Sequence, residues 1–168
     1  MVLFLASELM FFGGLFASYF TLRSQTVIWP PPDVDLDLPL TLVATVMLTG
    51  SSLTMHLGLV RLRIGRPEAM RAWVLVTFAL GAGFLAIKAY EFATAGFGIG
   101  SHAYGSLWFT MVGAHGLHLA VGLALLIVLL GRAVRFARDP GGAEAIGYYW
   151  HFVDAVWLAI FGTIYLIR

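Results

Sequence analysis

A chain of 168 residues that is 60% hydrophobic and only 11% charged, with a formal net charge of +1, is not a soluble domain, where about a quarter of residues are charged. It contains no cysteine, which excludes a disulfide framework, thiolate metal ligation and redox thiols. The near-neutral balance and the lack of a basic run exclude no membrane role but speak against a nucleic-acid partner. The composition predicts an all-α integral membrane bundle, a single transmembrane domain over residues 1–168, with no segment outside the membrane long enough to bury its own core.

The first apolar stretch, residues 2–22, has no basic leader and no small-residue cleavage site, and it reads as a span rather than a signal peptide. Glu8 sits inside it, about 10 Å from its start at 1.5 Å per residue. Acids inside a membrane are functional candidates by default. Glu8 could bind or relay a proton or lie beside lipid; the plainer alternative is a neutral side chain hydrogen-bonded within the bundle. Gly13/Ala17 and Gly14/Ser18 here, with Ala79/Gly83 and Ala89/Ala93 in the third span, have the four-residue spacing that lets helices approach closely. Trp29-Pro30-Pro31-Pro32-Asp33 cannot continue a helix, because successive prolines remove donors and clash with the preceding turn.

Residues 40–60 form the second span, with His56 near its end, and Gly65-Arg66-Pro67 is a loop. The third, 73–95, holds Lys88 and Glu91 three residues apart, the spacing of an internal ion pair; a long Lys could also snorkel outward. A flexible Gly96–Ser101 loop and His102 follow. The fourth, 104–130, carries His115 and His118 on one face. With His151 they could suggest a metal or haem site, but the same helix offers no third ligand and axial haem ligands usually come from facing helices, so a histidine bonded to a neighbouring carboxylate or carbonyl is the plainer reading. Asp139-Pro140-Gly141-Gly142 is a loop, and residues 146–167 form the fifth span. There, His151 and Asp154 share a helix face and could satisfy each other, with Trp150 and Trp157 flanking Asp154. Trp29, Trp73, Trp108 and the tyrosines at span ends fit an interfacial aromatic belt.

Lysine and arginine counts orient the bundle. The loops after the second and fourth spans carry Arg61, Arg63, Arg66, Arg71, Arg132, Arg135 and Arg138, against Arg23 and Arg168 on the other side. Seven against two places those loops and the N-terminus in the cytoplasm and the C-terminus outside. No nucleophile with base and oxyanion hole and no phosphate-binding loop is visible, and no internal repeat supports a transporter built from inverted halves. The residues alone describe five helices with buried polar contacts, more an accessory or scaffold than a catalyst.

Several segments resemble subunit III of the haem-copper oxidases, specifically the cytochrome c oxidase subunit III family in its short five-helix bacterial form. They are Ala6-Ser7-Glu8-Leu9-Met10-Phe11-Phe12, Trp29-Pro30-Pro31, Ala89-Tyr90-Glu91-Phe92, Tyr104-Gly105-Ser106 leading into Gly113-Ala114-His115-Gly116-Leu117-His118, and Tyr149-Trp150-His151-Phe152-Val153-Asp154-Ala155-Val156-Trp157. The last two are specific together; Trp-Pro-Pro alone would be weak. The resemblance implies an accessory subunit without haem, copper or any cofactor of its own, those centres lying in partner subunits. It implies subunits I and II as partners, membrane phospholipid as ligand, cytochrome c as an indirect partner, and a respiratory supercomplex as a further setting. It implies help with assembly, proton uptake and durable turnover, in a multi-pass protein of the bacterial plasma membrane.

By the same resemblance Glu8 is a proton- or lipid-linked carboxyl, Arg132 lies near lipid headgroups, and His115, His118, His151 and Asp154 belong to a structural polar network, beside the Lys88 and Glu91 pair. Departures are equally informative. Many relatives have seven helices with a lipid cleft between the first two and the rest, and this chain supplies one wall of it. Lys88 stands where such relatives have Gln, so the resemblance assigns it no role. Quinol oxidase relatives tend to carry Asp where this chain has Glu8, which favours cytochrome c as electron donor over a quinol- or nitric-oxide-reductase-type relative. A standalone transporter or channel is the alternative of another class, and activity of the chain alone in proteoliposomes would be its mark.

Overall fold

The computed structural model describes residues 2–167, apart from the side chains of Val2, Ala137 and Arg138. Arg168 and the Arg138 side chain, both used in the charge count, lie outside the described residues. The helices are α1 (Val2–Gln25), α2 (Leu38–Arg63), α3 (Pro67–Thr94), α4 (Ala103–Gly131), α5 (Ala133–Arg138) and α6 (Gly141–Phe161), the last continued by a π-helical turn, Gly162–Leu166. All but α5 are long and apolar enough to cross a membrane.

The helices start where local chemistry allows. Asp37 caps α2 by accepting the Leu40 N–H at 2.9 Å, satisfying a donor that the first turn would otherwise leave bare. Gly65 adopts φ 73°, which turns the chain at once into α3. α3 opens on Pro67, whose missing N–H costs nothing in a first turn. His102 caps α4, its Nδ1 accepting the Gly105 N–H at 2.8 Å, while its Nε2 lies 3.5 Å from Asp33.

Three sequence expectations need correction. α3 begins at Pro67 rather than residue 73, because the polar turn with its Glu68–Arg71 pair is helical. α6 begins at Gly141 rather than residue 146, so the two glycines read as a loop are its first turn, and Glu144 from that turn reaches Arg63 at 2.9 Å. The arginine loop after α4 contains a short helix, α5, that hydropathy did not reveal.

α2 and α3 form a tight hairpin, and α6 lies against α2 and α4 at the centre of the bundle. α1 stands at the edge, leaving Leu3, Leu9, Met10 and Phe20 exposed. Trp150 explains the central packing: its ring is wedged between two glycines. A Cβ on Gly81 of α3 would lie 2.7 Å from the ring, and one on Gly122 of α4 would lie 3.1 Å away. Neither glycine belongs to the small-residue pairs singled out from spacing. Gly13 and Gly14 of those pairs face open space, because α1 has no partner on that side within the chain.

Candidate functional site

The bundle has an arginine-rich end, where Arg61, Arg63, Arg66, Arg132 and Arg135 lie, and an acidic end with Asp33, Asp35 and Asp37. Three polar sites occur between them.

The first is near the acidic end. Lys88 and Glu91, one helical turn apart on α3, form an ion pair at 2.5 Å with 3% and 6% of each residue exposed. The pair is saturated from other helices. Lys88 Nζ donates to Thr41 Oγ1 of α2 at 3.1 Å and lies 4.7 Å from the Trp157 ring. The π-helical turn brings in Tyr165, whose hydroxyl donates to Glu91 Oε1 at 2.8 Å and accepts from Trp108 Nε1 at 3.3 Å. A pocket of about 680 Å³ opens beside the cluster, lined by Asp35, Asp37, Tyr90, Glu91, Trp108 and Tyr165 among others. Trp108 is therefore a core residue, 1% exposed, and not part of an interfacial belt. Lys88 does not snorkel, because its charge is matched where it lies.

The second site joins α1 to α4. Glu8 Oε2 lies 2.8 Å from His118 Nε2. His118 Nδ1 lies 2.7 Å from the Ala114 carbonyl oxygen, which can only accept, so Nδ1 carries a hydrogen. The short contact on the other side then needs a hydrogen of its own, on Nε2 or on the carboxyl. Glu8 and His118 thus form a direct carboxyl–imidazole hydrogen bond between α1 and α4. The Tyr149 hydroxyl of α6 donates to the His118 carbonyl at 3.0 Å, and Phe12 packs on the imidazole at 5.3 Å.

The third site is the seam between α2 and α6. Asp154 is 7% exposed, and its Oδ2 is 2.7 Å from Ser52 Oγ. Its Oδ1 is buried with no hydrogen-bond partner among the described residues. The expected His151–Asp154 hydrogen bond does not form. Side chains three residues apart on a helix lean the same way along the axis, and here the carboxyl turns across to α2, where a hydroxyl meets it. His151 remains half-buried and His56 of α2 exposed. Deeper in the seam, Trp150 Nε1 donates to Ser51 Oγ and Trp157 Nε1 to Thr45 Oγ1, both at 3.0 Å.

The four residues assigned to one network are therefore divided. His118 belongs with Glu8, and Asp154 with Ser52. His115, 1% exposed, lies between Phe84 and the Trp157 ring with no partner for either ring nitrogen among the described residues. His115 and His118 point to different neighbours despite their common face, and no group of three or more His, Asp or Glu side chains among the described residues could hold a metal ion. Sequence reading missed the hydroxyls of α2 and Tyr165. Thr41, Thr45 and Ser52 share one face of α2, with Ser51 beside them, and that hydroxyl-rich face was the available signal. Arg132 ends α4 and is exposed, lining with Arg135, Phe136, Asp139 and Gly142 a pocket of about 170 Å³.

Comparison with known proteins finds similarity along nearly the whole chain. A family model described as cytochrome c oxidase subunit III matches residues 1–167. A Mycobacterium tuberculosis protein named "Probable cytochrome c oxidase subunit 3" is 42% identical over 99% of this chain and 86% of its own length. Proteins named cytochrome c oxidase subunit 3 from Corynebacterium diphtheriae and Thermostichus vulcanus are 39% and 34% identical, each over 99% of this chain and 86% and 85% of their own lengths.

Proposed function

The chain belongs to the cytochrome c oxidase subunit III family, and from that premise we propose that it is the non-catalytic subunit that sustains proton delivery and durable turnover in a proton-pumping oxidase. The protein is a multi-pass component of a bacterial plasma membrane. In this reading the arginine loops face the cytoplasm, and haem and copper belong to the partner subunits I and II. Electrons arrive there from cytochrome c, and this chain binds phospholipid and takes part in the complex without touching the reacting atoms.

One observation supports the finer role: the Glu8–His118 contact at 2.8 Å, which links α1 to α4 through two groups able to exchange a proton. Its imidazole is oriented by the Ala114 carbonyl, and the Tyr149 hydroxyl bonds the His118 backbone carbonyl and ties that turn of α4 to α6. α1 is the least enclosed span, which leaves the pair close to whatever covers that edge in the assembly. Arg132, exposed beside Arg135 at the arginine-rich end, has the charge and position to meet a lipid phosphate.

The test is purification of the complex carrying Glu8→Gln. Gln keeps the size and a hydrogen bond to His118, so the chain is expected to remain with haem and copper, while proton uptake slows and turnover inactivates sooner. Unchanged proton uptake and lifetime would sink the proposed role of Glu8. A wild-type chain that never accompanies haem and copper would sink the whole reading.

A further inference from the structure

We infer that Tyr165, Trp108 and Trp29 form a relay that quenches peroxyl radicals: Tyr165 reduces the radical, and the electron deficit passes through Trp108 to Trp29 at the acidic end of the bundle. Oxygen attack on acyl chains makes peroxyl radicals in an aerated membrane, and five spanning helices set this chain among those acyl chains. The inference therefore stands apart from the role of Glu8.

The entry is Tyr165. It lines the pocket of about 680 Å³ together with Trp108, and residues 35–40 and 94–95 on the same wall mark the ends of the spans. A peroxyl group is polar and sits toward headgroup level, where this pocket opens. A phenol gives up an electron readily only when a base takes its proton. Tyr165 has that base, since its hydroxyl donates to Glu91 Oε1 at 2.8 Å.

The next ring is already in contact. Trp108 Nε1 donates to the same Tyr165 hydroxyl at 3.3 Å. From Trp108 the aromatic contacts continue outward: Phe97 lies 5.4 Å from Trp108 and 6.4 Å from Tyr104, and Tyr104 lies 5.2 Å from Trp29. Tyr165, Trp108 and Tyr104 are buried, whereas Trp29 is only partly so and ends the series.

Electrostatics gives the relay its direction. Once the phenolic proton sits on Glu91, Lys88 is left buried without its counter-charge, a costly state. When Trp108 supplies an electron to Tyr165, Glu91 returns the proton and the ion pair is restored. The deficit is a positive charge, repelled by the Lys88 ammonium 5.0 Å from the Tyr165 ring. It is drawn toward Asp33, Asp35 and Asp37, which outnumber Arg23 at that end.

The reduced peroxyl takes a proton from water and leaves as a hydroperoxide. A water-soluble thiolate refills Trp29 and becomes a thiyl radical, and the proton its thiol shed replaces the one taken from water. In sum, two peroxyl radicals and two thiols become two hydroperoxides and one disulfide.

The test treats native membranes containing the assembled protein with a lipid-soluble azo initiator in air, in the presence of a nitrone spin trap. Mass spectrometry then locates the trap adducts on this chain. Adducts are expected at Trp29 in the wild type. Tyr165→Phe should lower them several-fold, and an unchanged yield would overturn the relay by showing that Trp29 is oxidised directly. Trp29→Phe leaves the buried rings in place and should raise adducts at Trp108 and Tyr165 several-fold, because the exit is blocked. No rise there, or no adduct on any of the three residues in the wild type, would equally overturn the relay.

Discussion

Glu91 and Asp154 are both buried carboxyls of membrane-spanning helices, yet their surroundings are completed to different degrees. Glu91 has a cation from its own helix and hydroxyls from two other segments, so both oxygens are occupied. Asp154 has one hydroxyl, from Ser52, and a second oxygen without a donor. The Glu91 cluster is a finished contact that ties α2, α3 and the end of α6 together. The Asp154 seam ties α2 to α6 more lightly and leaves two imidazoles beside it unmatched. Buried polar groups in proteins are nearly always paired.

Breaking the finished cluster should have the largest effect. Glu91→Leu leaves Lys88 buried without its counter-charge, which costs about 3–5 kcal/mol. The thermal midpoint for loss of this chain from the complex should fall accordingly, and adding Lys88→Met should recover most of it, because two apolar side chains leave no buried charge. A double variant as unstable as the single one would show that the pair is not an isolated unit.

Tyr165→Phe comes next. It removes a donor to Glu91 and an acceptor for Trp108, and hydrogen bonds to charged groups contribute about 1.5–3 kcal/mol. The same thermal measurement should show a smaller fall than for Glu91→Leu.

Asp154→Leu should cost less than Glu91→Leu, about 1–3 kcal/mol, because one hydrogen bond to Ser52 is lost and no opposite charge is stranded. A loss larger than that of Glu91→Leu would reverse the comparison and mean that the second oxygen is engaged in the assembly. Glu8→Gln should be the mildest, below about 1 kcal/mol in the same assay, since Gln preserves a hydrogen bond to His118. Its effect belongs in proton uptake. Collapse of assembly instead would make Glu8 a structural residue like Glu91.

Much of this protein was legible in its sequence. Five apolar stretches separated by Pro- and Gly-rich turns gave five spanning helices, because in hydrocarbon an α-helix satisfies its backbone without reference to any neighbour. The Lys88–Glu91 pair was legible for a similar reason, being a contact one turn apart on one helix. Helix starts at Pro67 and Gly141 were harder, since hydropathy is blind to helical turns that stand in water.

The same local logic misled at His151 and Asp154. Their spacing allowed a hydrogen bond, but Ser52, 102 positions away in sequence, met the carboxyl instead. His115 and His118 share a face, yet only His118 meets Glu8, 110 positions away. By itself the sequence determined composition, spans, family and the intrahelical ion pair, all of which depend on a residue and its near neighbours along the chain. Only the tertiary structure decided which polar groups are satisfied, because a buried hydrogen bond goes to whichever donor or acceptor the packing of another helix brings within about 3 Å.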